Sequence, residues 1–222
     1  SVELWRQCIS DLAEKRSKSP WGMESVHRDL AVAKRIYVGE MDAAAKAEAK
    51  REVATLKKLN HPHIVRYFGS WVDSQSDDLI IVQEYCEDGD LGKYISGRQT
   101  AKERIPADLV VRWLAQVTHA LQYCHTKARI LHRDLKPGNI FLSHNQRQTH
   151  LGDFGIAKQM TRTESLCHSF IGTQLYLSPE VIRMQRYGHK CDVWSLGVTL
   201  YEMCMLRRPF DSGDPVTVMQ AI

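Results

Sequence analysis

The 222-residue chain has no uninterrupted apolar run approaching the ~18 residues a membrane-spanning helix needs. Its opening, SVELWRQCISDLAEKRSKS, has no apolar signal-peptide core, which argues against secretion. No CxxC pair occurs among the six cysteines, at 8, 86, 124, 167, 191 and 204. Neither a disulfide framework nor a zinc site is therefore indicated, and free thiols in a reducing, intracellular compartment are expected; cytoplasm, nucleus and cytoskeleton all remain open. Charge of either sign is not in excess: 30 basic against 26 acidic residues leave +4, too little to argue for nucleic acid as a partner. Internal repeats and low-complexity tracts are absent. Glycine is scarce at the start, where Gly22 alone precedes Lys34, and there is no initiating Met. What is present is ordinary for a globular protein: 43% hydrophobic and 25% charged residues, in a length that suits one large domain or two small ones.

Residues 1–29 are polar and carry little pattern. LAVAKRIYV, residues 30–38, reads as a buried strand with a lysine at its centre. DAAAKAEAKREVATLKKL follows as a helix that Asp42 can cap, with Val53, Leu56 and Leu59 on one face and alternating Lys and Glu on a solvated one. Asn60-His61-Pro62 ends it, because the residue before proline avoids helical geometry. IVRYFGSWV and LIIVQEY read as two strands around the polar loop DSQSDD. Beyond Glu84–Leu91 the pattern becomes helical. Val110, Leu114, Val117, Leu121 and Cys124 recur at helical spacing between Pro106 and Thr126, and CDVWSLGVTLYEMCML is apolar on most of its circumference. The expected class is α+β: a small β-rich lobe with one main helix over 1–86, then a larger α-rich lobe over 87–222.

The chemistry concentrates in His132-Arg133-Asp134-Leu135-Lys136-Pro137-Gly138-Asn139 and, nineteen residues after Asp134, Asp153-Phe154-Gly155. GTQLYLSPE follows at 172–180. Read bare, the stretch offers two carboxylates, an amide and a lysine. One carboxylate can take a proton from a hydroxyl. The other, with an amide oxygen, is a hard donor set suited to Mg²⁺. Lysines neutralise phosphate oxygens. These are the needs of phosphoryl transfer, which depends on positioning and charge stabilisation.

In these residues the chain resembles the protein kinases, over roughly residues 30–222. The resemblance implies a two-lobed kinase fold that binds ATP and Mg²⁺ between its lobes and phosphorylates Ser or Thr hydroxyls of protein substrates. Neither nucleic acid nor membrane is implied as a partner. By position, Asp134 resembles the catalytic base, and Asn139 and Asp153 the Mg²⁺ ligands. Lys136 resembles the loop lysine that steadies the γ-phosphate in serine/threonine kinases, and Lys34 the strand lysine on the α- and β-phosphates. Glu52, eighteen residues on, resembles its ion-pair partner. Gln83 falls at the gatekeeper position, Glu84 to Cys86 at the adenine-binding hinge, and Asp90 where a ribose contact is common. HPHIVRYFGS, VQEYCEDGDL, ILHRDLKPGNIFL and RRPFD are most similar to the NIMA-related kinases. The kinases of translation initiation factor 2 are the rival subfamily.

Arg133 marks kinases whose activation segment is ordered by a phosphate, and Ser169, four residues before Thr173, is the expected phosphosite; Ser165 competes with it. Asp192, charged within an apolar helix, reads as an anchor for the catalytic-loop backbone, and His132 as a packed structural histidine. Cys167 and His168 are adjacent but are a poor nucleophile or metal pair. His27-Arg28-Asp29-Leu30 repeats the tetrapeptide without KPxN after it and reads as coincidence. The main departure is the missing glycine-rich phosphate loop before Lys34. Truncation at both ends is the expected reason. The alternative is a degenerate loop and a catalytically weak pseudokinase or scaffold.

Overall fold

The structure is a computed structural model that describes residues 30–154, 174–210, 217 and 222, without the side chains at 48, 51, 52 and 174. The chain divides into two compact units. Among the described residues, one holds 30–59 and 66–85, and the other holds 60–65 and the residues from 86 onward.

The first unit is a three-stranded antiparallel sheet with one helix. The strands are β1 (Ala31–Tyr37), β2 (Tyr67–Asp73) and β3 (Asp78–Glu84), in the order β1-β3-β2. β3 is central because DLIIVQE is the most apolar of the three; Leu79, Ile81 and Val82 are buried. β1, expected to be buried, is not: Val32 and Tyr37 are exposed, since among the described residues it pairs with β3 alone. Helix α1 (Ala43–Leu56) starts where Asp42 Oδ1 accepts from the Ala45 N–H at 2.7 Å. It buries Ala49, Val53 and Leu56. It stops short of the expected Asn60 stop, in a tight turn where the Lys58 and Leu59 N–H groups bond to Thr55 and Leu56.

IVRYFGSWV does not form one strand. Ile64 and Val65 belong to the second unit, where the Val65 N–H bonds to the Leu151 carbonyl and the Leu151 N–H to the His63 carbonyl, each at 2.9 Å. β2 begins only at Tyr67. Sequence alternation cannot show that one apolar run is divided between two sheets.

The second unit contains α2 (Leu91–Ala101), α3 (Ala107–Tyr123), the hairpin β4 (Ile140–Ser143) and β5 (Gln148–Leu151), the short α4 (Pro179–Ile182) and α5 (Lys190–Met205). The sequence reading contained no α2; only Leu91 and Ile95 are buried on it, too few to mark a periodic face. α3 carries the expected stripe, with Val110, Val117 and Leu121 buried, and ends in a π-turn over Cys124–Ala128. Trp113, fully buried on α3, donates its Nε1–H to the Gln146 carbonyl at 2.7 Å and so pins the β4–β5 turn. α3 packs on β5 and α5. α5 buries Cys191, Asp192, Ser195, Leu196, Val198, Thr199 and Met203 but exposes Val193, Cys204 and Met205. Among the described residues no helix is long and apolar enough to cross a membrane.

Candidate active site

The HRDLKPGN segment bridges the end of the π-turn and the start of β4. Its first two backbone N–H groups are held by one side chain. Asp192, 1% exposed in the first turn of α5, accepts the Arg133 N–H on Oδ1 and the His132 N–H on Oδ2, both at 2.9 Å. His125 Nε2 lies 2.8 Å from the same Oδ2. Arg133 sits at φ +66°, a left-handed conformation that a non-glycine residue adopts only when its surroundings impose it. His132 is buried, and its Nε2 lies 2.9 Å from the Gly152 carbonyl. Burial holds its pKa below the ordinary value, with the Gly152 contact and nearby carboxylates opposing. An uncharged His132 thus links the loop to the end of β5.

Asp134 is 8% exposed. Its Oδ2 accepts from Asn139 Nδ2 at 3.0 Å and from Lys136 Nζ at 3.2 Å, and its backbone carbonyl accepts from the same Asn139 nitrogen at 2.7 Å. Pro137–Asn139 forms a 3₁₀ turn that brings the amide back onto Asp134. Both contacts use the Asn139 nitrogen, so the amide oxygen, on the other side of Cγ, points away from Asp134 as an available lone-pair donor. The Gly152 N–H bonds to the Asn139 carbonyl at 3.0 Å, tying the residue before Asp153 to this turn. Asp153 is at φ +53°, and His132 packs on Phe154 with ring centroids 4.7 Å apart.

This donor set fits Mg²⁺. One carboxylate and one amide oxygen are hard ligands, and no cluster of three His, Cys, Asp or Glu able to hold a metal by itself occurs among the described residues. Mg²⁺ is commonly held by one or two carboxylates together with substrate phosphates.

Residues 20–222 match the family model described as protein kinase domain. The chain belongs to the protein kinase family. It is 40% identical over 185 residues to the serine/threonine-protein kinase Nek2 of Homo sapiens, covering 82% of this chain and 41% of that protein. It is 41% identical over 196 residues to the probable serine/threonine-protein kinase nek2 of Dictyostelium discoideum, covering 87% and 46%. The G2-specific protein kinase fin1 of Schizosaccharomyces pombe is 36% identical over 211 residues, covering 87% and 29%. The chain spans less than half the length of these curated relatives, and the two Nek2 names fall in the NIMA-related group that the sequence resembles.

In this kinase domain the other candidates lie as follows. Lys34 is at the middle of β1, opposite Ile81. Glu52 lies on α1, and its side chain is outside the described residues. Gln83 and Glu84 end β3; the Glu84 N–H bonds to the Arg66 carbonyl at 2.9 Å. Cys86 is buried and opens the second unit, its carbonyl accepting the Gly89 N–H. Asp90 caps α2, accepting the Lys93 N–H at 2.9 Å. Ser165, Ser169 and the duplicate HRD at 27–29 lie outside the described residues.

Sequence reasoning missed His125. It follows Cys124, the last residue of the recognised stripe, and nothing in the local pattern signals the π-turn that aims it at Asp192. Cys124 and Cys191, which flank the same carboxylate, are not reactive thiols. Burial foremost, then Asp192, pushes their pKa values up to about 12 and about 11.

Proposed function

We propose that this domain is an active serine/threonine protein kinase that uses ATP and Mg²⁺ to phosphorylate hydroxyls of protein substrates. The observation that carries the reading is the Asp134 carboxylate, fixed by Asn139 and paired with Lys136 on a loop that Asp192 holds rigid. Asp134 orients the incoming hydroxyl and accepts its proton. Lys136 sits 3.2 Å from that carboxylate, within reach of a phosphate oxygen beside it. Asn139 and Asp153 would hold Mg²⁺, and Lys34 would hold the α- and β-phosphates with Glu52 as its partner. Bound ATP–Mg²⁺ supplies the transferable phosphoryl group. Glu84, Cys86 and Asp90 would contact the nucleoside. The retention of Lys34, Glu52, Asp134, Asn139 and Asp153 together disfavours a pseudokinase. An intracellular location fits buried free thiols. Phosphorylation of Ser169, rather than Ser165, would order the activation segment through Arg133.

Asp134→Asn in the intact protein should lower kcat by several orders of magnitude while leaving nucleotide affinity within about twofold, because the amide cannot accept the proton. Transfer assays beside nucleotide titration check it. Substantial remaining turnover removes Asp134 from the role of base.

A further inference from the structure

Residues 183–190, Arg-Met-Gln-Arg-Tyr-Gly-His-Lys, are all exposed and join α4 to α5. No acidic residue occurs between Glu180 and Asp192. No described carboxylate forms an ion pair with Arg183, Arg186 or Lys190. Two apolar side chains are interleaved with these cations: Met184, 95% exposed, and Tyr187, 40% exposed. The strip is anchored at both ends. The Met184 and Gln185 N–H groups bond to the Val181 and Glu180 carbonyls, and Lys190 opens the helix turn that contains Asp192. Asp192 in turn holds the backbone next to Asp134. Tyr187 also lines a cavity of about 50 Å³ with Arg133, Ser178 and Asp192, into which the buried Ser178 hydroxyl brings no hydrogen bond of its own.

We propose that residues 183–190 are a docking strip for an acidic, partly apolar segment of the protein substrate. This rests on the kinase reading above and narrows its substrate class. Three exposed cations without a carboxylate partner among the described residues favour carboxylates, and cations tethered through Asp192 to the loop of Asp134 can meet residues that flank the acceptor hydroxyl. Met184 and Tyr187 supply apolar contact beside the charges. RNA fits less well: beside the small His189 ring the strip offers Tyr187 alone for stacking, and the whole chain carries only +4.

The test uses the intact protein, two Ser-containing peptides that differ only in Glu or Gln around the acceptor, and the variant Arg183→Gln/Arg186→Gln/Lys190→Gln. The expected result is a lower KM for the Glu peptide in the unaltered protein, an advantage that falls with added salt. In the variant that KM should rise about eightfold to about a hundredfold, because three exposed ion pairs are lost and each is worth a factor of about two to five, while kcat and the KM for the Gln peptide stay put. Arg183→Glu/Arg186→Glu should turn the preference towards a Lys-flanked peptide, which a merely structural role would not do. Equal KM values for both peptides, or an equal loss on both in the variant, would overturn the strip and leave the kinase reading standing. If neither peptide is phosphorylated, fluorescence anisotropy of the labelled Glu peptide separates the two ideas. Binding lost in the Gln variant supports the strip and removes the kinase reading; no binding removes both. Tighter binding of a single-stranded RNA than of the Glu peptide also overturns it.

Discussion

Asp192 shows how much one buried side chain can organise. A carboxylate is costly to desolvate unless its lone pairs are met, and here two backbone N–H groups and the His125 ring meet them. Asp192→Asn keeps the shape but turns an NH₂ group towards at least one of these donors. We expect it to destabilise the domain by about 1–3 kcal/mol, the cost of a buried group left unsatisfied, and to lower kcat because Arg133 and Asp134 lose their fixed backbone. Denaturant melts of the intact protein together with kcat measure both effects. Unchanged stability would mean that the loop is held by other contacts. Cys124 and Cys191 beside it should resist thiol-directed alkylation until unfolding, whereas exposed Cys204 should not.

At the level of elements, α1 and α2 are both short of buried apolar surface, and their N-caps matter accordingly. Asp90 terminates the segment that enters α2 and also occupies the position where kinases commonly meet ribose. The two roles separate by substitution. Asp90→Ala should cost about 1 kcal/mol of stability through the lost cap, whereas Asp90→Asn, an equally good cap, should cost only a few tenths. A drop in nucleotide affinity in the Asn variant with stability retained would identify a ligand contact. Equal destabilisation by both variants would show that the charge, through Lys93 at 3.4 Å, matters more than the cap.

Across the second unit, three histidines gather where residues 60–65 meet α3. The ring of His61 lies 4.6 Å from that of His119 and 5.7 Å from that of His63. Its Nδ1 accepts the His63 N–H, so protonation would replace an acceptor with a second donor. Desolvation foremost, then His119 and His63, lowers the His61 pKa to about 4 from its ordinary 6.5; His63 shifts the same way, chiefly by burial. Between those values the unfolded chain binds the proton that the folded one refuses. Stability should therefore fall as pH drops from about 6.5 towards 4. Because His63 also carries the carbonyl that accepts the Leu151 N–H, two residues before Asp153, acid should loosen the site along with the fold. Melting temperatures of the intact protein from pH 7.5 to 4.5 check this. His61→Gln should show the shallower slope, and an unchanged slope would place the sensitive group elsewhere.

The main helices, the α+β class and the chemistry-bearing residues were legible because each rests on local information. Asp42 before an alanine-rich run caps a helix, a stripe from Val110 to Leu121 buries one face, and the spacing of Asp134, Asn139 and Asp153 is written in the chain itself. Helix α2 was not legible, since two buried residues make no period. Nor was the break at residue 66, where one apolar run is shared between two units, nor the exposure of β1. Those depend on which strand lies alongside, a matter of long-range pairing that alternation alone does not encode. The sequence by itself supplied the carboxylates, amide and lysines that we propose for phosphoryl transfer. Only the tertiary structure decided how they are held, because Asp192 reaches the catalytic loop from 59 and 60 residues further along the chain and is itself met by His125, 67 residues before it, and a hydrogen bond between such distant groups exists only once the chain has folded.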